Sequence, residues 1–449
     1  MKDPARFSIA LVPIALVCLL FAAPRAIAQS PGTIPSTLTI DQAVRIALER
    51  NLSITLAESQ VDNSSAQVTG AFGAFLPQIT VNAGYNKQLT ASEAVIDGVV
   101  LGVNRPDAAY NAQASAGLVL FDGFSRTANY KAARATFDAS YETLNRTRQD
   151  IAFQVRSAFL NALRTEQLIE IRKSDLELAN ERLTQNRGLV EAGTAQVGVV
   201  YSQEAEVANA ELLLEQARTD ALINRNSLIL LLNLDPNTDI NLSSEGLASS
   251  VDSSEVVATR RTLGTVNDMY GRLAENRRDI KAARLRAEAS SASVTAARSG
   301  YYPTISTGLG WYWQKAGPPA ANDNLQFSLS LQYSPFDGFR TNQQVQLAEA
   351  QRQSDEIELR RLEIQARSDL QQAVARLDGA ERQIQAAAKA VAAARQSRYA
   401  SDERYRLGAG SYADYLLANA QYLTAQINQV NAVFNYRLAI FEVRHQLGE

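Results

Sequence analysis

Side chains able to do chemistry are scarce in this sequence. It has one histidine, His445, four residues from its end, and one cysteine, Cys18, inside an apolar run near its start. A lone imidazole with no thiol beside it builds neither a His/Cys zinc site nor a Ser-His-Asp or Cys-His arrangement. Phosphate-binding glycine motifs are absent too: there is no GxxxxGK[ST], and no GxGxxG opens a helix after a strand. Gly408-Ala409-Gly410 follows a helical stretch and reads as a C-terminal stop. Carboxylates are plentiful, but they fall on helical stretches where i,i+4 partners and solvent account for them. A carboxylate-based hydrolase is the residual enzymatic option. The expectation is a protein that is not an enzyme, with no catalytic residues, no metal and no cofactor.

The elements therefore matter more than any reactive group. Lys2 and Arg6 give a basic start, an apolar run follows from Phe7 to Ala23, and Ala26-Ile27-Ala28 places small residues before Gln29. That layout predicts a secretory signal peptide over 1–28, cleaved after Ala28. A membrane-anchoring helix is the alternative, weakened by Pro13 and by the cleavage site. Cys18 follows bulky Val17 and is a poor lipid-attachment site, so no lipid anchor and no disulfide are expected. Removing 1–28 leaves 41 basic against 46 acidic residues, a net charge of −5, which lacks the basic surface that nucleic-acid binding needs. No later stretch of 18 apolar residues exists. An exported chain of this kind can enter a membrane only as a closed β-barrel.

The sequence repeats itself. Phe121-Asp122-Gly123-Phe124 recurs 215 positions on as Phe336-Asp337-Gly338-Phe339, and Gly193 matches Gly408 at the same offset. Upstream, Ile54 matches Ile280, and Leu76-Pro77-Gln78-Ile79 matches Tyr302-Pro303-Thr304-Ile305, both at an offset of 226. The change of 11 falls in one loop between these segments. The division expected is a first repeat over 29–235, a Ser-, Asp- and Asn-rich linker over 236–263, and a second repeat over 264–449.

Around that loop the pattern has period two. Leu325, Phe327, Leu329, Leu331 and Tyr333 alternate with Gln and Ser, and Ile305, Thr307, Leu309, Trp311 and Trp313 alternate with Thr304, Ser306, Gly308, Gly310 and Tyr312. Ile79, Val81, Ala83 and Tyr85 do the same, and 111–121 does so more weakly. Each run is about ten residues, the length a tilted strand needs to cross a bilayer. Aromatics gather at both ends: Phe121 and Phe336 at one, Tyr85, Trp311 and Trp313 at the other, as interfacial girdles in contact with lipid would. A water-exposed antiparallel sheet gives the same alternation. Four strands cannot close a barrel, for which eight is the usual minimum, so a membrane reading requires several chains.

Proline is absent from 107–235 and from 336–449. The first of these predicts one helix from Phe124 to about Arg187, about 64 residues or roughly 95 Å. Its counterpart runs from Phe339 to about Tyr405. Ala366, Leu370, Ala373, Leu377, Ala380, Ile384, Ala387 and Val391 form a heptad seam, half of it alanine, which suits close lateral packing. Returning helices are expected over about Val199–Leu232 and Tyr412–Gln446. For the helices alone, a secreted coiled-coil scaffold without channel activity is the alternative.

Taken in order, these pieces resemble the TolC family of outer-membrane efflux and secretion channels. The likeness spans the chain from Leu38-Thr39-Ile40-Asp41-Gln42-Ala43 and Asn51, through the Leu-Pro strand entry and both Phe-Asp-Gly segments, to the Gly193 and Gly408 turns. It implies a mixed fold, an α-helical barrel joined to a transmembrane β-barrel, built as a homotrimer with four strands per chain in a shared twelve-stranded barrel. Long coiled-coil-like helices would form a periplasmic extension, with 38–50 and 236–275 near its equator. Function would be passive export from the cell outer membrane, with a periplasmic adaptor (membrane fusion) protein and an inner-membrane transporter as partners. The turns bearing Gly193, Thr194, Gly408, Gly410 and Ser411 would be the tip that meets the adaptor. By the family's pattern Tyr405 matches a gate-side tyrosine and Asp414 the first acidic gate position, while Leu417 stands where a second acidic residue is usual. Asp414 equally fits a helix-start carboxylate favoured by the helix dipole.

Overall fold

The computed structural model describes residues 37–87, 94–96, 99–101, 108–244, 251–316 and 321–449. The signal peptide expected over 1–28 and its expected cleavage site lie outside them. The described chain runs β1 (Thr37–Leu38), α1 (Ile40–Arg50), α2 (Leu52–Gly73), β2 (Gln78–Lys87), β3 (Ala94–Ile96), β4 (Val99–Leu101), β5 (Ala108–Phe121), α3 (Ser125–Glu191) and α4 (Val197–Leu231). It continues with β6 (Asn241–Leu242), α5 (Ser253–Leu263), α6 (Val266–Asn276), α7 (Arg278–Arg298), β7 (Thr304–Ala316), β8 (Ala321–Gln332), α8 (Arg340–Arg406) and α9 (Tyr412–Gln446). Helices α3 and α8 have 67 residues each, and α4 and α9 have 35 each. At 1.5 Å per residue the longer pair spans about 100 Å.

Local chemistry sets the ends of these helices. Thr39 and Gln42 form a capping box on α1, and Thr265 and Asp268 form another on α6. Asn51 caps α2 by accepting from Ser53 N at 2.9 Å, while its amide donates to Leu231 O at 2.9 Å. One side chain thereby starts one helix and satisfies an orphan carbonyl at the end of another. The Phe-Asp-Gly-Phe segments are strand-to-helix turns. Gly123 and Phe124 both take left-handed backbone, as do Gly338 and Phe339. Asp122 accepts from Arg126 N at 2.9 Å and Asp337 from Thr341 N at 2.8 Å, so each aspartate caps the helix that follows. The cost of left-handed phenylalanine is offset by edge-to-face ring pairs, Phe121 with Phe124 and Phe336 with Phe339, at 5.6 and 5.5 Å.

Strands β2, β5, β7 and β8 form one antiparallel sheet in that order. The first pair is joined by 88–107, which contains the β3–β4 hairpin, and the second by 317–320. Strand β8 begins at Ala321 and ends at Gln332, so Tyr333, expected on the strand, follows it. Where Ser, Asp and Asn suggested a plain linker, 236–263 holds β6, which pairs in parallel with β1, and α5. Leu263 and Val256 secure that segment by packing on the core, which composition alone does not register.

The core lies where α6, α7, α8 and α9 meet. Leu370, Leu377, Tyr436 and Val443 are buried there with Met269 and Leu273. The α8 seam is buried from Ala366 to Ala380 and becomes half-buried at Ile384, Ala387 and Val391. A second buried set comprises Phe159, Leu160, Leu228 and Leu232 on α3 and at the end of α4. Among the described residues no helix is long and apolar enough to cross a membrane.

Candidate functional site

The register places Ile79, Val81 and Tyr85 on one face of the sheet with Leu309, Trp311 and Trp313 and with Leu325, Phe327 and Leu329. This apolar face is open: Ile79 is 75% exposed and Phe327 70%. Thr307, the hydroxyl among the large apolar groups of β7, donates to Ser328 O at 3.2 Å, which satisfies its own donor. Trp313 and Trp311 stand opposite Ala112 and Ala114, whose small side chains leave room for the indoles. Tyr85 and Tyr110 are direct cross-strand partners with rings 5.1 Å apart. Phe121 closes the helix end of β5, while Phe336 lies beyond β8 in the turn toward α8. Among the described residues both outer strands, β2 and β8, have a free edge.

The far ends of the long helices form two tight turns. Gly193 and Gly408 have φ of 73° and 70°, the left-handed geometry that favours glycine. Thr194 N and Ala409 N close the turns by donating to Leu189 O and Arg404 O at 2.9 and 2.8 Å. Gly410 packs tightly, since a Cβ there would meet Arg404 Cβ at 3.0 Å. Ser411 caps α9: its Oγ accepts from Asp414 N at 3.1 Å and donates to Asp414 Oδ2 at 2.8 Å. Asp414 is thus a helix-start carboxylate in geometry, and it is exposed.

Tyr405 points elsewhere. Its hydroxyl donates to Asn186 Oδ1 on α3 at 3.0 Å, and its ring packs on Tyr412 and Tyr415 with centroids 5.2 and 6.3 Å away. Burial raises the pKa of all three phenols, so they stay protonated. Arg182 on α3 pairs with Asp402 on α8 and lies over the Tyr415 ring at 4.8 Å. Tyr412 and Tyr415 occupy the buried face of α9, while Asp414 and the exposed Leu417 occupy another. The residues expected at the tip therefore divide into two surfaces: a tyrosine–arginine contact inside the chain, and an acidic–apolar face outside it. Sequence reading missed Arg182, Asn186, Asp402, Tyr412 and Tyr415. The Tyr412/Tyr415 spacing of three was the available signal, whereas Arg182 and Asp402 lie 220 positions apart.

Near the other end of α9, His445 stacks on Phe153 at 4.6 Å and faces Arg146 and Asp150 at 3.1 and 3.4 Å. Burial, with Arg146 and Arg277 nearby, pushes its pKa down to about 4. The imidazole is neutral at neutral pH, as part of the packing. Arg277 binds Asp279 through both Nε and Nη2 at 3.0 Å and Gln446 at 3.2 Å, tying α7 to α9.

The described chain combines an open sheet bearing an exposed apolar face with polar helices far longer than a globular core requires. The family model described as outer membrane efflux protein matches residues 43–234 and 269–449, and the chain belongs to that family. Protein CyaE of Bordetella pertussis is 25% identical over 387 residues, which cover 85% of this chain and 78% of that one. Outer membrane protein TolC of Vibrio cholerae is 21% identical over 320 residues, 70% of this chain and 66% of its own. The CmeC outer membrane channel of Campylobacter jejuni shares the fold with a TM-score of 0.77 at 17% identity, over 91% of this chain and 85% of that chain. The chain is accordingly an outer-membrane export channel of the kind that serves efflux or secretion systems. That sets aside the coiled-coil scaffold.

Proposed function

We propose that three copies join β2 to β8 of the next copy and close a twelve-stranded barrel in the outer membrane. The observation that carries this is the four-stranded sheet, with two unpaired edges and an exposed apolar face. Neither is tolerable in lipid or water until neighbouring strands and acyl chains cover them. The two halves of each chain act as structural repeats, and their helices assemble into a periplasmic helical barrel. Tyr85, Trp311, Trp313, Phe121 and Phe336 sit at the two lipid interfaces. The Gly193-Thr194 and Gly408-Gly410-Ser411 turns meet a periplasmic adaptor, which links the channel to an inner-membrane transporter. Export through the channel is passive, and the chain arrives after cleavage behind Ala28.

At the tip, three copies of Asp414 form an acidic ring, with Leu417 adding an apolar constriction. A ring of like charges attracts cations and binds multivalent ones. Tyr405 supports this gate from inside by holding α8 against α3. Mass measurement in detergent tests the assembly and should give about three protomers; a stable monomer soluble in water overturns it. In bilayer recordings Asp414→Ala should reduce cation selectivity and Leu417→Ala should mainly raise conductance. Unchanged selectivity and multivalent block in Asp414→Ala would leave that residue as a helix cap alone.

A further inference from the structure

The face of the sheet opposite the apolar one is built from uncharged side chains. Along β2 the alternate residues of 78–86 read Gln, Thr, Asn, Gly, Asn, and along β7 those of 304–314 read Thr, Ser, Gly, Gly, Tyr, Gln. The matching positions of β5 and β8 are Ala, Asn, Gln, Ser, Gly and Val, then Asn, Asn, Gln, Ser, Ser and Gln. No Asp, Glu, Lys, Arg or His occurs on this face of the four strands. The charges the sheet does carry, Lys87, Lys315 and Asp323, have the other parity and stand at its loop end. The helices, by contrast, are laced with ion pairs along their length.

The same face is also levelled. Glycines sit beside its bulkier side chains, which fold down onto them. A Cβ at Gly310 would come within 2.8 Å of the Tyr312 ring, and one at Gly84 within 2.5 Å of Asn111 Oδ1. At Gly308 it would be 3.0 Å from Ser328 Oγ. Ser306 and Ser330 bond to each other at 2.7 Å across the strands. A cavity of about 760 Å³ lies along this face between the end of α2 and Thr80, Ser115, Ser306 and Ser328.

We infer that this face is a smooth, charge-blind bore, which passes polar cargo of either sign and leaves charge discrimination to the helical part of the conduit. The inference rests on the barrel proposed above. Fixed charges on a low-dielectric wall concentrate counter-ions and repel co-ions, and this wall has none. Its hydroxyls and amides each donate and accept, so they replace water around a cation or an anion alike. The glycine hollows keep Tyr312 and Asn111 from projecting into the path. Charges at the helical tip lie about 100 Å away by helix length, many Debye lengths at physiological salt.

The test uses assembled trimers from a precursor carrying Cys18→Ser, so that an introduced thiol is the only one whether or not the leader is removed. Ser115→Cys is treated from the outside with cationic and anionic methanethiosulfonates of similar size, and Leu329→Cys serves as the lipid-facing control. The expected ratio of the two rates at Ser115→Cys is that of a free thiol in solution, and adding Ser328→Asp should shift it toward the cationic reagent. Gly310→Val should slow a bulky reagent at Ser115→Cys, because Tyr312 is displaced into the path, and spare a small one. A ratio biased several-fold without the added aspartate overturns the charge-blind bore, as does no shift on adding it. An unaffected bulky reagent overturns the levelling role of Gly310. An unreactive Ser115→Cys beside a reactive Leu329→Cys overturns the barrel itself.

Discussion

Phe327 in the sheet is 70% exposed, whereas Phe159, midway along α3, is completely buried. The two phenylalanines mark two ways of holding a structure. The helical region makes its own interior from Phe159, Leu377 and Tyr436, and charged networks such as Arg277–Asp279 surround it. In the sheet, strand ladders satisfy the backbone, but the apolar side chains have no protein to pack on. In the proposed barrel their environment comes from lipid and from other copies. Stability in one region is internal to the chain, and in the other, on that proposal, it is conferred from outside.

The sharpest way to break this comparison is to put a charge on each face of β8. Phe327→Arg should cost about 2–4 kcal/mol in each chain if it faces the bilayer midplane, and so abolish recovery from the outer-membrane fraction. Ser328→Arg, one residue on and on the opposite face, should leave insertion intact. Equal loss in both variants would remove the distinction between the faces.

Phe159→Ala should cost about 3–5 kcal/mol, since it leaves a cavity among close-packed helices. A lowered denaturant midpoint of the helical signal would show it. No change would mean that the helices, like the sheet, rely on the assembly.

The ionic cluster near the end of α9 predicts a dependence on pH. His445 has a folded pKa of about 4 against an ordinary 6.5, so the unfolded chain takes up the proton first as pH falls. The stability this neutral histidine contributes is complete above pH 6.5 and is lost as pH drops toward 4, up to about 3 kcal/mol. Asp150 and Asp279 titrate beside it with pKa shifts of opposite direction, raised and lowered, so the readout is a difference. His445→Gln should flatten the slope of stability between pH 6.5 and 4 relative to the parent chain. Identical slopes would show that the carboxylates alone govern the acid response.

The smallest effect belongs to the tip. Tyr405→Phe removes the hydrogen bond to Asn186 and should cost about 1 kcal/mol. A double-mutant cycle with Asn186→Ala measures the coupling, and a value near zero would mean that ring packing alone holds Tyr405.

Much of this organisation was legible because it is local. Period-two alternation marked the four strands, and glycine marked the turns at 193 and 408, where left-handed backbone is needed. The heptad seam of α8 identified its buried stripe, because a helix repeats its face every three or four residues. Asp414 was legible as a helix-start carboxylate because the dipole favours one there, while its two hydrogen bonds with Ser411 came from the structure. The Phe-Asp-Gly-Phe segments were visible as a repeat, but their work as aspartate-capped turns with paired left-handed residues was not, since nothing in the spelling states a backbone angle.

What only the tertiary structure decided depends on residues distant in sequence. The pairing of Arg182 with Asp402, the contact of Tyr405 with Asn186 and the clamp from Asn51 to Leu231 join helices whose relative rotation no periodicity encodes. That rotation also separates Tyr405 from Asp414 and Leu417, which the family resemblance had grouped together. The segment 236–263 gained β6 and α5 because Val256 and Leu263 found a core formed by other helices, overriding a composition that favours loops. The sequence by itself determined which face of each element is apolar and where each element stops, since both follow from short-range sterics and hydrogen bonding. Which faces meet was decided by packing, because burial is a property of the assembled helices and of no single stretch of chain.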